Sequence, residues 1–229
     1  HPSLPELHFL SIPTQYPEPH LDLETFLAAT IHDAKNQIQT IISELSQPGA
    51  ANATDGQVAG DANVSSTRTE QQLRYLDQRL TAVMGMYRLQ THHICQPTEV
   101  YVSDMLTTVA DLWGPAEVIC EPDLTGWFDE SLVRVVISDA VHNARRFARR
   151  VIQLSGTLVD GGIELCVEDD GPGFTEAPEA RQSGDTGTGL GTYFAEQVVA
   201  AHCRDGRQGA VKTGRSPTLG GARFSVWLP

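Results

Sequence analysis

Positive charge is scarce in this sequence, and so are paired cysteines and long apolar runs. Lys and Arg total 16 against 29 Asp and Glu, a formal net charge of -13, which disfavours a general nucleic-acid surface or an anionic-membrane footprint. A polyanionic ligand must therefore be met locally. Cys95, Cys120, Cys166 and Cys203 form no C-x-x-C pair and no His-rich metal spacing, which suits reduced thiols in a cytosolic compartment and excludes a disulfide framework and structural zinc. No run of about 18 apolar residues and no signal-peptide pattern occurs, so a soluble chain with no membrane contact of its own is expected. The chain opens on His1, so an excised or processed fragment that lacks an upstream region is expected.

What is present is enough apolar residue, 40% of 229, for one ordinary core and a smaller helical element. Residues 1–20 carry Pro2, Pro5, Pro13, Pro17 and Pro19 and read as an extended lead-in. A helical hairpin is expected over 21–96. Leu27, Ile31, Ala34, Ile38, Ile41 and Leu45 are spaced as a heptad seam, and Leu73, Leu76, Leu80, Val83 and Tyr87 form a second. Pro48-Gly49 ends the first helix, and the small, polar residues 48–66 read as a flexible connector. A lone hairpin leaves half its apolar surface in water, so dimerisation of two hairpins into a four-helix bundle is expected. The alternative is a hairpin packed on its own C-terminal unit.

Gln96-Pro97-Thr98 breaks the second helix and opens a unit over 97–229. Strand-like Glu99–Val102 precedes a helix near Ser103–Trp113, with Ser103 as N-cap. Strands at Glu117–Glu121 and Trp127–Asp129 lead to a helix over about Glu130–Arg149. Val151–Leu158 and Ile163–Glu168 flank Val-Asp-Gly-Gly, a hairpin turn. A helix at Leu190–His202 and a last hairpin of Ala210–Gly214 with Ala222–Leu228 complete an α/β sandwich with antiparallel pairing.

Three stretches of this unit suggest chemistry together. Asp139 and Asn143, four residues apart, share a helix face, and oxygen ligands at that spacing suit magnesium beside nucleotide phosphates. Arg145, Arg146, Arg149 and Arg150 are the densest positive charge in an acidic chain, which alone would read as a solvated basic face. Val167-Glu-Asp-Asp-Gly-Pro-Gly-Phe174 runs an acidic strand end into a glycine turn. There Asp169 can accept from an exocyclic base amine while Gly171 and Gly173 let the backbone approach the ring. Gly184-Asp-Thr-Gly-Thr-Gly-Leu-Gly-Thr-Tyr193 opens a helix, a loop-to-helix junction suited to anions. It is neither a Walker pattern nor a dinucleotide fingerprint.

On these motifs, residues from about 99 to 229 resemble the catalytic and ATP-binding domain of sensor histidine kinases, within the wider family of gyrase, Hsp90 and MutL. The likeness rests on Asn143, on Asp169-x-Gly171-x-Gly173, on Gly187-Thr-Gly-Leu-Gly191 and on the closing Gly-Gly-Ala-Arg-Phe-Ser-Val-Trp-Leu-Pro229. The resemblance implies Asn143 as magnesium ligand, Asp169 as adenine reader and Arg146 as phosphate contact. It implies Gly187, Thr188, Gly189, Leu190 and Gly191 as the phosphate loop. Asp139 stands where the kinases carry a first Asn and the ATPases a catalytic Glu, so a ligand and a water-orienting base are both open to it. No phenylalanine-centred box lies between Phe174 and Gly187, which makes the nucleotide lid short.

His32 then acquires a context. It lies one position off the Ile31/Ala34 seam, facing solvent with Asn36 one turn on. His32-Asp33-Ala34-Lys35-Asn36 resembles the phosphoacceptor pattern of dimerisation and phosphotransfer domains. That likeness implies ATP-dependent phosphorylation of His32, assisted by Asp33, and transfer to an aspartate of a response regulator. It also implies a role for Asn36 in dephosphorylating that receiver. ATP and Mg2+ are the implied cofactors, and a second copy and a receiver domain the implied partners. The implied location is the cytoplasm, free or as the inner part of a membrane sensor. Two other readings stand beside this one: an ATPase or serine kinase on the same nucleotide fold, and a phosphotransfer scaffold that has lost ATP.

Overall fold

The computed structural model describes residues 23–46, 58–92, 95–174 and 190–229. The proline-rich lead-in and Gly187, Thr188 and Gly189 lie outside them. Two long helices come first, α1 (Leu23–Ser46) and α2 (Val58–His92). The expected connector is thus helical from Val58 onward, and only its first part lies between the helices. Ala34 and Ile41 are buried and Leu27 is partly buried against the core. Ile31 and Ile38 of the same seam stay exposed, as do Leu73, Leu80 and Tyr87 on α2.

The α/β part begins with β1 (Thr98–Tyr101), α3 (Val102–Trp113), β2 (Glu117–Cys120), β3 (Thr125–Phe128) and α4 (Glu130–Phe147). It continues with β4 (Ile152–Val159), β5 (Gly162–Asp169) and α5 (Leu190–Ala201). Last come β6 (Cys203–Arg204), β7 (Arg207–Gln208), β8 (Ala210–Arg215) and β9 (Ala222–Leu228). The main sheet has the order β2-β4-β5-β9-β8. All its pairs are antiparallel except β2 with β4, which are parallel, so the all-antiparallel expectation fails at that edge. Strand β3 pairs instead with β1, and β6 with β7 in a small hairpin that the sequence reading did not separate.

Period-2 alternation sorts the sheet faces. Leu154, Leu165, Val167, Val226 and Leu228 join α3, α4 and α5 in one apolar core. On the opposite face, paired Ser155, Cys166 and Ser225 lie beside Glu164 and Glu168, which bind Arg223 at 3.1 and 3.5 Å. Asp160 and Gly161 turn β4 into β5 with φ 51° and 76°, the left-handed backbone expected of Asp-Gly. Ser103 does not cap α3: the cap position is Tyr101, without a side-chain bond, and Ser103 Oγ donates to Pro122 O. Asp129 caps α4, accepting from Leu132 N at 3.2 Å.

One face of α2 lies on this α/β part. Buried Gln78, Ala82, Met86 and Leu89 follow helical spacing, and the contacts run antiparallel along α4. Tyr75 stacks on His142, with ring centroids 3.8 Å apart. Gln78 Nε2 donates to Val135 O at 3.1 Å, and Arg88 reaches Asp129 at 3.6 Å. Gly85 is a packing notch: a Cβ there would come within 2.8 Å of Leu132 Cδ2 and 3.4 Å of the Phe194 ring. The single hairpin thus does not leave all its remaining apolar surface in water, because α2 covers part of it on its own chain.

Candidate functional site

The site is assembled along the solvent end of α4. Asn143 Nδ2 donates to Asp139 Oδ2 at 3.2 Å, as the spacing of four requires. Gly191, at the start of α5, leaves no space beside this pair, since a Cβ there would overlap the Asp139 carboxylate. Burial pushes the Asp139 carboxyl above the usual range, while the field of Arg79 and the hydrogen bond from Asn143 oppose that shift. Among the described residues no group of three or more His, Cys, Asp or Glu could hold a metal. Asp139 Oδ1 and Oδ2 and Asn143 Oδ1 are oxygen atoms of the kind magnesium takes as one or two ligands when phosphates and water complete its shell.

The second candidate group lies at the end of β5. Asp169 pairs with Ile152 and so takes the core-facing side of the strand. Its Oδ1 accepts from Gly171 N at 2.7 Å and Ala222 N at 3.1 Å, and its carbonyl accepts from Gly221 N at 3.1 Å. Only 3% of Asp169 is exposed, and no donor among the described residues is assigned to Oδ2. Two glycines make this fit. A Cβ on Gly171 would meet Phe147 O at 2.5 Å, and one on Gly221 would overlap Asp169 itself. Gly173 follows with φ 84°.

Two features of this region escaped the sequence reading. Asp170 accepts from Arg149 N at 2.7 Å and Arg150 N at 3.0 Å, tying the segment after α4 to the glycine turn. The Arg150 amide foremost, with Val151 and Arg149, holds the Asp170 carboxyl below its usual range. The arginine cluster is also divided. Arg145 lies against Gly114 at the C-terminal end of α3, and Arg146 sits over the Phe147 ring at 5.4 Å. The backbones of Arg149 and Arg150 are fixed by Asp170, and their side chains are exposed.

A third feature sits where α2 meets the α/β part. His202, 4% exposed, has Nδ1 at 2.7 Å from Val198 O and accepts at Nε2 from Asp129 N at 2.9 Å. That pattern requires the neutral ring with its proton on Nδ1. Burial lowers the His202 pKa despite the Val198 carbonyl and Asp129. Gln96 N donates to Asp129 Oδ2 at 3.0 Å, and Cys95 Sγ lies 3.5 Å from His202 Nε2. Burial, then Asp129, pushes the Cys95 thiol up to about 11, so it is not a reactive thiolate. Burial alone would raise Asp129, but hydrogen bonds from Ser131, Gln96 and Leu132, with Arg88, hold it below the usual range.

On α1, His32 and Asn36 are exposed, with Asn36 Nδ2 3.3 Å from His32 Nδ1. Asp33 lies in the same helical turn, and Leu190 begins α5. Among the described residues no helix is long and apolar enough to cross a membrane.

Comparison with known proteins follows this geometry. Residues 128–229 match the family described as histidine kinase-, DNA gyrase B-, and HSP90-like ATPase. Sensor histidine kinase CpxA of Escherichia coli strain K12 is 34% identical over 105 residues, which cover 41% of this chain and 22% of that relative. The matched stretch is thus about a fifth of that relative's length. Among solved structures, Acinetobacter baumannii histidine kinase AdeS superposes with a TM-score of 0.52 at 16% identity, over 88% of this chain and 95% of that one. That likeness speaks for the fold alone. Residues 128–229 are therefore similar to ATPases of the histidine kinase, gyrase B and HSP90 type, and the chain carrying them is similar to sensor histidine kinases.

Proposed function

We propose that the chain is the phosphotransfer and ATP-binding part of a cytoplasmic or membrane-linked sensor histidine kinase. Residues 21–96 would form the dimerising hairpin and 97–229 the catalytic unit. One observation carries this reading. A single chain holds an exposed His32 with Asn36 at hydrogen-bond reach and, within the stretch that matches the ATPase family, a hydrogen-bonded Asp139–Asn143 pair on α4 and an anchored Asp169 at the end of β5.

The proposed chemistry follows from what each group offers. Asp169 Oδ2 accepts the exocyclic amine of adenine, and the α5 start with Gly187, Thr188, Gly189, Leu190 and Gly191 receives phosphates at a helix N-terminus. Asn143, with Asp139, would hold magnesium, whose charge would offset that of the phosphates. Arg146 adds a phosphate contact. His32 attacks the γ-phosphorus through one ring nitrogen, the bond to the β–γ bridging oxygen breaks and ADP leaves. Asp33 holds or accepts the proton of the other nitrogen. Rate enhancement comes mostly from positioning and charge, as in other phosphoryl transfers. The phosphoryl group then passes to an aspartate of a response regulator, and Asn36 positions water for the receiver's dephosphorylation. A homodimer through the exposed halves of the two seams completes the assembly.

Incubation with γ-labelled ATP and magnesium, beside His32→Gln and Asn143→Ala, tests the proposal. Acid-labile, base-stable label on the parent chain alone is the expected result. Label that persists in His32→Gln would overturn the assignment of the acceptor. ATP turnover with no protein label would replace it with an ATPase.

A further inference from the structure

The antiparallel contact of α2 with α4 brings side chains of the helical hairpin alongside the stretch of α4 that carries Asp139. Tyr75 meets His142, Gln78 meets Val135 and Arg88 meets Asp129. Arg79 lies on the same docked face, 8% exposed, with its guanidinium carbon 5.6 Å from the Tyr75 ring centre. Between the levels of His142 and Val135, α4 carries Asp139. The partly buried Asp139 carboxylate already shares Oδ2 with Asn143 and is closed off on another side by Gly191. It has room for few further partners, and Arg79 provides the principal opposing field.

This interface is not built for permanence. Gln78 and Arg79 are buried polar side chains within it, and Gln78 Oε1 and Trp113 Nε1 are buried with no hydrogen-bond partner among the described residues. Trp113 packs edge-on against Tyr75, with ring centroids 6.4 Å apart. Unsatisfied groups of this kind make docking costly and undocking easy, as in transient interdomain contacts.

We propose that Arg79 is the counter-ion of Asp139 while α2 is docked, and that it competes with the magnesium of the incoming nucleotide for that carboxylate. A guanidinium and a divalent cation repel strongly when they share one partly desolvated carboxylate. Loading the site therefore loosens α2 from α4, and docking of α2 raises the magnesium concentration needed to load it. The relation is reciprocal, as any binding linkage must be. The inference rests on the nucleotide reading given above and adds to it a control element supplied by the hairpin.

The test measures binding of a non-hydrolysable ATP analogue across a magnesium series, with amide exchange of residues 74–89 followed in parallel. In Arg79→Gln the half-saturating magnesium concentration is expected to fall roughly fivefold or more, while Arg79→Lys stays near the parent. Tyr75→Ala keeps both charges but removes the ring that stacks on His142 and lies under Arg79, and should shift the midpoint the same way. In the parent chain, analogue with magnesium should unprotect amides 74–89, and analogue alone should not. An unchanged or higher midpoint in Arg79→Gln, or unaltered protection in the parent, would overturn the inference and leave the nucleotide reading standing. Failure of the parent to bind the analogue at any magnesium concentration would overturn both.

Discussion

In the proposed role of purine reader, Asp169 depends on a backbone neighbourhood that spends one carboxylate oxygen and spares the other. Gly171 N and Ala222 N hold Oδ1, and Gly221 makes room for the side chain. Asparagine at this position keeps an oxygen for those amides but places an NH2 group where Oδ2 was. Asp169→Asn is therefore expected to fold with a stability loss of about 1 kcal/mol, yet to lose adenine-nucleotide affinity by roughly tenfold or more. Calorimetric titration beside a thermal melt separates the two effects, and equal affinity in the variant would remove Asp169 from base recognition. His202 gives a second expectation at this scale. Its folded pKa lies below the ordinary 6.5, so between those values the unfolded chain binds more protons and stability rises with pH. His142, lowered to about 4 by burial first and then by Arg146, Arg79 and Arg145, acts in the same sense. Melting temperature should thus fall as pH drops from about 7 toward 4 and level off above the ordinary histidine value. A flat profile across that range would mean that neither ring is held neutral by the fold.

Among the elements, α2 is where local sequence and tertiary packing differ most. Gly85 weakens a helix by propensity alone, but the notch it makes admits Leu132 Cδ2 and Phe194. Gly85→Val should leave the helix intact while overpacking the contact by about 1–3 kcal/mol, detected as faster amide exchange in 74–89 with little change in β4 and β5. Exchange that rises equally everywhere would show that α2 docking is part of the global fold. The β4–β5 hairpin and the helices of the α/β part were legible because each carries its own local signal, such as Asp160-Gly161 at the turn or the apolar stripe of α4. The parallel partner of β2 was not, since strand pairing across a helix leaves no local mark. Val58 to Ser66 read as connector because small polar residues favour loops, yet they continue α2. The Asp139–Asn143 contact was legible from the spacing of four, and the glycine turn after Asp169 from its own residues. Arg79, Asp170 and His202 were not, because each acts through a partner distant in sequence that only the fold brings near.

For the whole molecule, exposed Ile31 and Ile38 on α1 and Leu73, Leu80, Met84 and Tyr87 on α2 make an apolar stripe of heptad character. Ile31 is 63% exposed and Met84 68%, which is the kind of surface a second copy would cover. Leu80→Asp is expected to shift the sedimentation profile from dimer to monomer and to remove any dependence of melting on protein concentration. A parent chain that sediments as a monomer at every concentration would dismiss the bundle. The stripe and the docked face share one helix, so between Leu73 and Leu89 few positions of α2 are free of a packing duty. Asp77 and Thr81 are exposed outside both sets. Helix α3 buries a single stripe of Val102, Met105, Leu106, Val109 and Trp113. In a saturation-mutagenesis survey, tolerance along α3 should thus oscillate with the helical repeat, whereas α2 should show a nearly unbroken band of intolerance. Compensating second-site changes for stripe variants should then appear on α4 and α5 of the same chain as well as across the dimer.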